Sequence, residues 1–466
     1  MALILRNGEV ITASDRYKAD VRIEGGKITQ IGLSLPVGEG DESYDCAGRW
    51  IVPGGIDVHT HLDMPFMGTT SSDDFYTGTR AASAGGTTSI IDFVIPRRGQ
   101  SLLDAYDDWR RRADGKAVFD YAFHMAVTWF DTAEVRSEFS RCIDSGMTSF
   151  KTFMAYKGAL GIDDDELFKV MSAAKDHGAM VTVHAENGDA VNNLIARHLG
   201  QKKTDPIWHA RSRPPEVEGE ATWRAITLAR FNGQPLYVVH LTCRDALERV
   251  REARARGQVV YAETCPQYLV FDESVYERPD FDGAKWVMGP PIRPKGHPDA
   301  LWDGIAEGLI QTIATDHCPF FFKGQKEMGR DNFSKIPNGA PGIQDRMSVM
   351  YHYGVRSGRL TPHQWVDVCC TQPARIFGLF PQKGTIAVGT DADVVVFDPG
   401  HEFIFRAADS QHRCDYNLYE GMSGSGRCEL VLSRGRVLWE KGEFKGSSGM
   451  GDYLARSIAK DQQAAV

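Results

Sequence analysis

Between residue 53 and about residue 380 the sequence alternates eight short apolar runs with helix-like stretches, and this alternation constrains the fold more than any other feature. The runs are GGIDVHTH (54–61), TTSIIDFVI (87–95), YAFHMAV (121–127), TSFKTFM (148–154), AMVTVHAE (179–186), PLYVVHL (235–241), QVVYAE (258–263) and QTIATDH (311–317). Most are continuously apolar, as strands of a parallel sheet buried on both faces must be. Between them lie amphipathic helices: in DDDELFKVMSAAKDHG, Leu167, Val170, Met171 and Ala174 fall at i, i+3, i+4 and i+7 behind an acidic first turn. Eight strand-helix units predict an α/β protein with a (β/α)8, TIM-like barrel. A doubly wound open sheet is the alternative, because periodicity does not register closure.

The two ends of the chain read differently. In DVRIEGGKITQIG, Val21, Ile23, Ile28 and Ile31 flank a Gly25-Gly26 turn, which predicts a hairpin. The same texture returns in ADVVVFD (392–398) and in CELVLSRGRVLWEKG (428–442), with a turn at Arg434-Gly435. We therefore expect a small β-sandwich domain built from residues 1–52 and 382–442, a barrel over 53–381, and an arm or tail over 443–466. A net charge of −9 argues against nucleic acid or an anionic membrane surface as partner. There is no apolar run of about 18 residues and no cleavable N-terminal leader pattern. Nine cysteines without a C-x-x-C spacing read as reduced thiols, which points to a cytoplasmic protein.

In a barrel of this type the chemistry sits where strands end at the C-terminal rim. His59 and His61 stand at i and i+2 at the end of the first run, so both project from one face, as two imidazoles sharing a metal require. Lys151 lies in the fourth run, His184 ends the fifth, His240 the sixth and Asp316 the eighth. Each has a plain structural reading: a hydrogen-bonded core histidine, or for Asp316 the cap of a following helix. A lysine inside an apolar strand is rare unless paired. Together the six describe a metal site more readily than six separate accidents.

PGGIDVHTH, SFKTFMAYK, VHAENGD, VVHLTC and ATDHCPF, in that order, resemble the amidohydrolase superfamily, and within it the cyclic amidases of the dihydropyrimidinase and D-hydantoinase type. The resemblance runs through RDNFSKIPNGAPGIQDR (330–346) and CDYNLYEGM (414–422) and so covers nearly the whole chain. It implies two divalent metal ions, zinc by preference with Mn2+ or Co2+ as alternatives. His59, His61 and Asp316 would hold one ion and His184 and His240 the other. Lys151, carboxylated on its ε-nitrogen (N6-carboxylysine), would bridge them. It further implies Asp316 as the proton shuttle, Tyr156 as hydrogen-bond donor to the oxyanion, and substrate contacts through the backbone near Gly289 and through Asn338. At 289 this chain departs from the family pattern, which usually has serine. A loop loosened by glycine is expected to keep a main-chain contact. Met64, Pro65, Phe66, Phe93 and Phe153 are candidates for shaping the pocket around the exocyclic substituent.

The expected reaction is hydrolytic opening of dihydropyrimidines or 5-substituted hydantoins to N-carbamoyl amino acids, by a homotetramer. Competing readings are an allantoinase, a dihydroorotase-like ring opener, an amidohydrolase of open-chain amides, and a non-catalytic dihydropyrimidinase-related scaffold protein. The scaffold relatives have lost metal ligands, whereas this chain keeps six. Dihydroorotase-like chains read H-x-H-x-R, with an arginine that clamps a carboxylate; Asp63 stands there instead and is expected to repel one.

Overall fold

The computed structural model describes residues 1–130 and 132–459, so the last seven positions of the expected tail lie outside the described residues. All eight predicted strands form: β1 Gly55–Thr60, β2 Thr87–Val94, β3 Asp120–Ala126, β4 Ser149–Phe153, β5 Met180–His184, β6 Leu236–Val238, β7 Val260–Thr264 and β8 Thr312–Ile313. They pair in parallel in chain order, and β8 returns to β1 through a bridge between Thr60 and His317, where the His61 amide donates to the His317 carbonyl at 2.9 Å. The sheet is therefore a nearly closed barrel and not a doubly wound open sheet. Its interior is filled by alternate residues such as Ile56, Val58, Ile91, Ala122, Met180, Tyr237 and Val239, with Phe377 packed on His124 and Tyr237. This end of the barrel is plugged; the site has to be at the other.

β6 and β8 stop short of the predicted runs. His240 (φ 34°) and Asp316 (φ 51°) adopt left-handed backbone, which ends the extended conformation at each of these predicted ligands. The predicted helix forms over Asp164–Asp176 behind the Asp163–Glu166 capping box, burying Leu167, Val170, Met171 and Ala174.

Strands from the two ends, within residues 3–53 and 394–444, make one continuous nine-stranded, mostly antiparallel sheet. Trp50–Pro53 pairs with Val394–Phe397 and joins the two halves. The period of two decides what each face does. Val394 and Val396 enter a core with Leu5, Val21, Ile23 and Ile28, while Val395 and Phe397 pack with the barrel's hydrophobic core. Both predicted turns are two-residue hairpins with positive φ at each position, Gly25-Gly26 and Arg434-Gly435. Beyond Phe444 the chain crosses the foot of the barrel. Leu454 donates to the Tyr121 carbonyl, and the buried Arg456 guanidinium donates to the Phe123 carbonyl and, at 2.9 Å, to Ser149 Oγ.

Candidate metal centre and active site

The six residues singled out on sequence meet at the C-terminal rim. His59, His61, Lys151, His184, His240 and Asp316 all line one cleft, together with Met64, Phe66, Phe153, Tyr156, Gly289 and Asn338. Its empty volume is about 450 Å³, open mouth included. Of the remaining aromatic candidates, Phe93 lies behind the histidines, its ring 4.6 Å from His59 and 5.0 Å from His61 between centroids. Pro65 is not among the residues lining the cleft.

His59 Nε2 and His61 Nε2 lie 3.3 and 3.2 Å from Asp316 Oδ1. His59 Nδ1 lies 2.7 Å from Glu263 Oε1, and Glu263 also accepts from the His240 amide (3.0 Å) and the Tyr237 hydroxyl (2.8 Å). Burial raises the Glu263 carboxyl to about 7, against the lowering effect of Lys151 and of the hydrogen bonds from Tyr237 and the His240 amide. Burial and the charge of Lys151 hold His59 well below its usual range, so the ring is neutral. With its Nδ1–H given to Glu263, it turns a bare nitrogen lone pair toward the Asp316 carboxylate. Two acceptors facing one another at 3.3 Å fit a cation between them. The chemistry of the donor set thus matches a metal ion held by His59, His61 and Asp316.

His184 Nδ1 and His240 Nε2 face each other at 2.9 Å. On the far side of its ring, His184 Nε2 donates to Glu186 Oε2 at 2.8 Å, which again fixes the tautomer with the free nitrogen inward. Behind Glu186 stands Arg213, 3.8 Å away. Lys151 lies among these pairs, buried, and its Nζ has no hydrogen-bond partner. It sits 4.9 and 5.2 Å from the ring centroids of Phe93 and Phe153. Burial pulls its amine down to about 7 against the attraction of Glu263 and Asp316. A buried, unpaired amine near neutrality is ready to react as a free base.

Tyr156 also has left-handed backbone (φ 59°), held by the amides of Ala159, Leu160 and Gly161 on its carbonyl. Its hydroxyl accepts from Asn338 Nδ2 at 3.4 Å. Burial pushes the phenol well above its ordinary value, so it is a donor at neutral pH. Asp63 behaves differently from expectation. Its carboxylate lies 3.6 Å from Arg112, and Asp63 is not among the residues lining the cleft. Among the described residues that line the cleft there is no arginine, and Lys151 is the one lysine.

Three further residues went unnoticed on sequence. Glu263 lies near the end of β7, a strand to which no role was given, and a glutamate closing the apolar run QVVYAE was the available signal. Glu186 follows His184 by two positions and shares its face of the chain. Lys326 is wholly buried and donates to the carbonyls of Val287 (2.7 Å), Pro337 (2.7 Å) and Gly339 (2.6 Å), tying together the loops that carry Gly289 and Asn338. Nothing in its local sequence marks it.

Residues 50–438 match the amidohydrolase family. The chain is 49% identical to a D-hydantoinase of Geobacillus stearothermophilus over 98% of its own length and 97% of the relative's. It is 41% identical to the dihydropyrimidinase of Rattus norvegicus, over 97% and 88%. The crystal structure of a dihydropyrimidinase from Brevibacillus agri superposes with a TM-score of 0.97 at 50% identity, covering 98% of this chain and 99% of that one. Barrel, rim site and full-length similarity agree: this chain belongs to the amidohydrolase family.

Proposed function

We propose that the protein is a cyclic amidase that opens dihydropyrimidines and 5-substituted hydantoins to N-carbamoyl amino acids. The observation that carries the reading is the unpaired, buried Lys151 amine set between His59–His61–Asp316 on one side and His184–His240 on the other. Full-length similarity to a D-hydantoinase and to dihydropyrimidinases supports the substrate class.

In this reading His59, His61 and Asp316 would hold one divalent ion and His184 and His240 a second, zinc by preference, and Lys151, as N6-carboxylysine, would supply an anionic ligand to them. A protonated amine has no lone pair to offer; the neutral form that burial favours can add to carbon dioxide and, on releasing one N–H proton to water, become an anionic, two-oxygen carbamate. Bound ions supply polarisation of the amide carbonyl and acidification of a water. The side chains do the rest. Asp316 takes the proton of the attacking water and returns it to the departing ring nitrogen. Tyr156 donates its hydroxyl to the oxygen that gains charge. Asn338 and the backbone at Gly289 orient the ring, while Met64, Phe66 and Phe153 give its substituent an apolar wall. We place the enzyme in the cytoplasm as a homotetramer, a setting supported by nine free thiols and by the family resemblance. No helix among the described residues is long and apolar enough to cross a membrane.

Steady-state rates on dihydrouracil, phenylhydantoin and allantoin, measured side by side on protein of known metal content, test the reading. Turnover of the first two well above allantoin is expected. Turnover of allantoin alone would overturn it.

A further inference from the structure

The surroundings of Gly289 show what its lack of a side chain does. Its φ is not positive, so the backbone there does not call for glycine. The space does. A β-carbon built at 289 would lie 2.3 Å from the Tyr156 hydroxyl oxygen, closer than such atoms approach, but 3.5 Å from Tyr156 Cζ and 3.7 Å from Asn338 Nδ2, which are ordinary contacts. The conflict is with one oxygen atom.

The surroundings leave that oxygen nowhere easy to go. On the loop side, His209 Nε2 donates to the Met288 carbonyl at 2.7 Å and the Tyr268 hydroxyl donates to the Pro290 carbonyl at 2.8 Å, so the backbone is pinned on both sides of Gly289. On the tyrosine side, three amides hold the backbone, and the ring is walled by Phe66, Phe153 and His184 with centroids 5.7, 6.4 and 5.3 Å away.

We infer that the missing side chain at 289 is the seat of the Tyr156 hydroxyl, which makes Gly289 a positioning residue for the oxyanion donor. A chain with any β-carbon at this position has to hold that hydroxyl elsewhere, so the identity of residue 289 sets how deep the donor reaches into the cleft. This rests on the cyclic-amidase reading for its catalytic meaning, but the seat itself is a matter of packing and is tested separately.

The test is a double-mutant cycle on the metal-loaded protein: parent, Gly289→Ala, Tyr156→Phe and the double variant, each measured for thermal midpoint and for kcat and KM on dihydrouracil and phenylhydantoin. At a position with ordinary φ, alanine by itself stabilises through the unfolded chain. Here Gly289→Ala is expected to lower the midpoint by at least about 2 °C in the parent, and to leave it unchanged or raised in the Tyr156→Phe background, where the clashing oxygen is gone. In parallel Gly289→Ala should lower kcat at least about tenfold in the parent and less than about twofold in the Tyr156→Phe background, with KM moving little. Equal shifts in midpoint in both backgrounds would overturn the seat. Coupling in the midpoint with equal kcat losses in both would overturn the positioning role. A parent that turns over neither ring, yet shows the coupled midpoints, leaves the seat standing and sinks the cyclic-amidase reading instead.

Discussion

At the scale of single residues, the site depends on charges that are buried only because something opposes them. Lys151 has no hydrogen-bond partner of its own, and in the proposed reading it is the group that would bridge the two metal sites. Lys151→Ala should lose bound metal and turnover together, and short carboxylic acids should restore part of both by filling the vacated space. Metal analysis and rates with and without added propionate check this; full metal content and normal rates in the alanine variant would end the carbamate assignment. Asp316 faces two imidazole nitrogens at 3.2 and 3.3 Å. Asp316→Asn should cut kcat at least about 100-fold in metal-replete protein, the scale of general acid-base transfer. A loss under about threefold would send the proton elsewhere. These residues were legible in the sequence because each one interrupts or ends an apolar strand, where a histidine, lysine or aspartate is costly. Glu263 and Glu186 are as buried as the histidines they orient, yet a glutamate at a strand end looks like any residue entering a loop. Their meaning lies in contacts to side chains up to 204 positions away, and local pattern does not carry that.

At the scale of elements, the loops around residues 288 and 338 bring Gly289 and Asn338, the proposed substrate contacts, to the cleft, and Lys326 ties those loops together. All three ammonium donors are matched to carbonyls, in a place closed to water. Lys326→Met keeps much of the bulk and strips three acceptors of their donor, each worth about 1–3 kcal/mol when left buried and unpaired. We expect KM for either ring to rise at least about tenfold with kcat and metal content changing less, alongside a lower melting midpoint. An unchanged KM in a folded, metal-loaded variant would remove Lys326 from substrate positioning. The strands themselves were readable from apolar runs and turn residues, and all eight appeared where expected. The ends of β6 and β8 were not, since the left-handed turns at His240 and Asp316 are imposed by the site and have no glycine to announce them.

For the whole molecule, the cleft presents no arginine among its described lining residues, and Asp63, expected to repel an anion, is turned to Arg112. In the proposed reading, a preference for a neutral ring would rest on the missing clamp. The protein should open dihydrouracil at least about 100-fold faster than dihydroorotate in kcat/KM, or about 2.7 kcal/mol. The two rates at one pH and one metal loading decide it, and comparable values would move dihydroorotase to first place. Barrel closure was beyond the reach of periodicity; it shows only in the pairing of Thr60 with His317. The two-ended sheet was legible because the same alternating texture recurs at both termini, but the path of residues 451–456 across the barrel's foot was not, being set by backbone pairing and by Arg456. That two-ended sheet has a consequence for how the molecule is made. Trp50–Pro53 waits for its partner at Val394–Phe397, roughly 340 residues later, which is about 20 s to a minute of translation. For that interval the nascent chain carries a half-built sheet with an open edge while the barrel assembles beside it. The rim residues up to Asn338 are synthesised before the sheet's last strands, and the stretch 451–456 that crosses the barrel's foot follows them, so the molecule's two ends meet late.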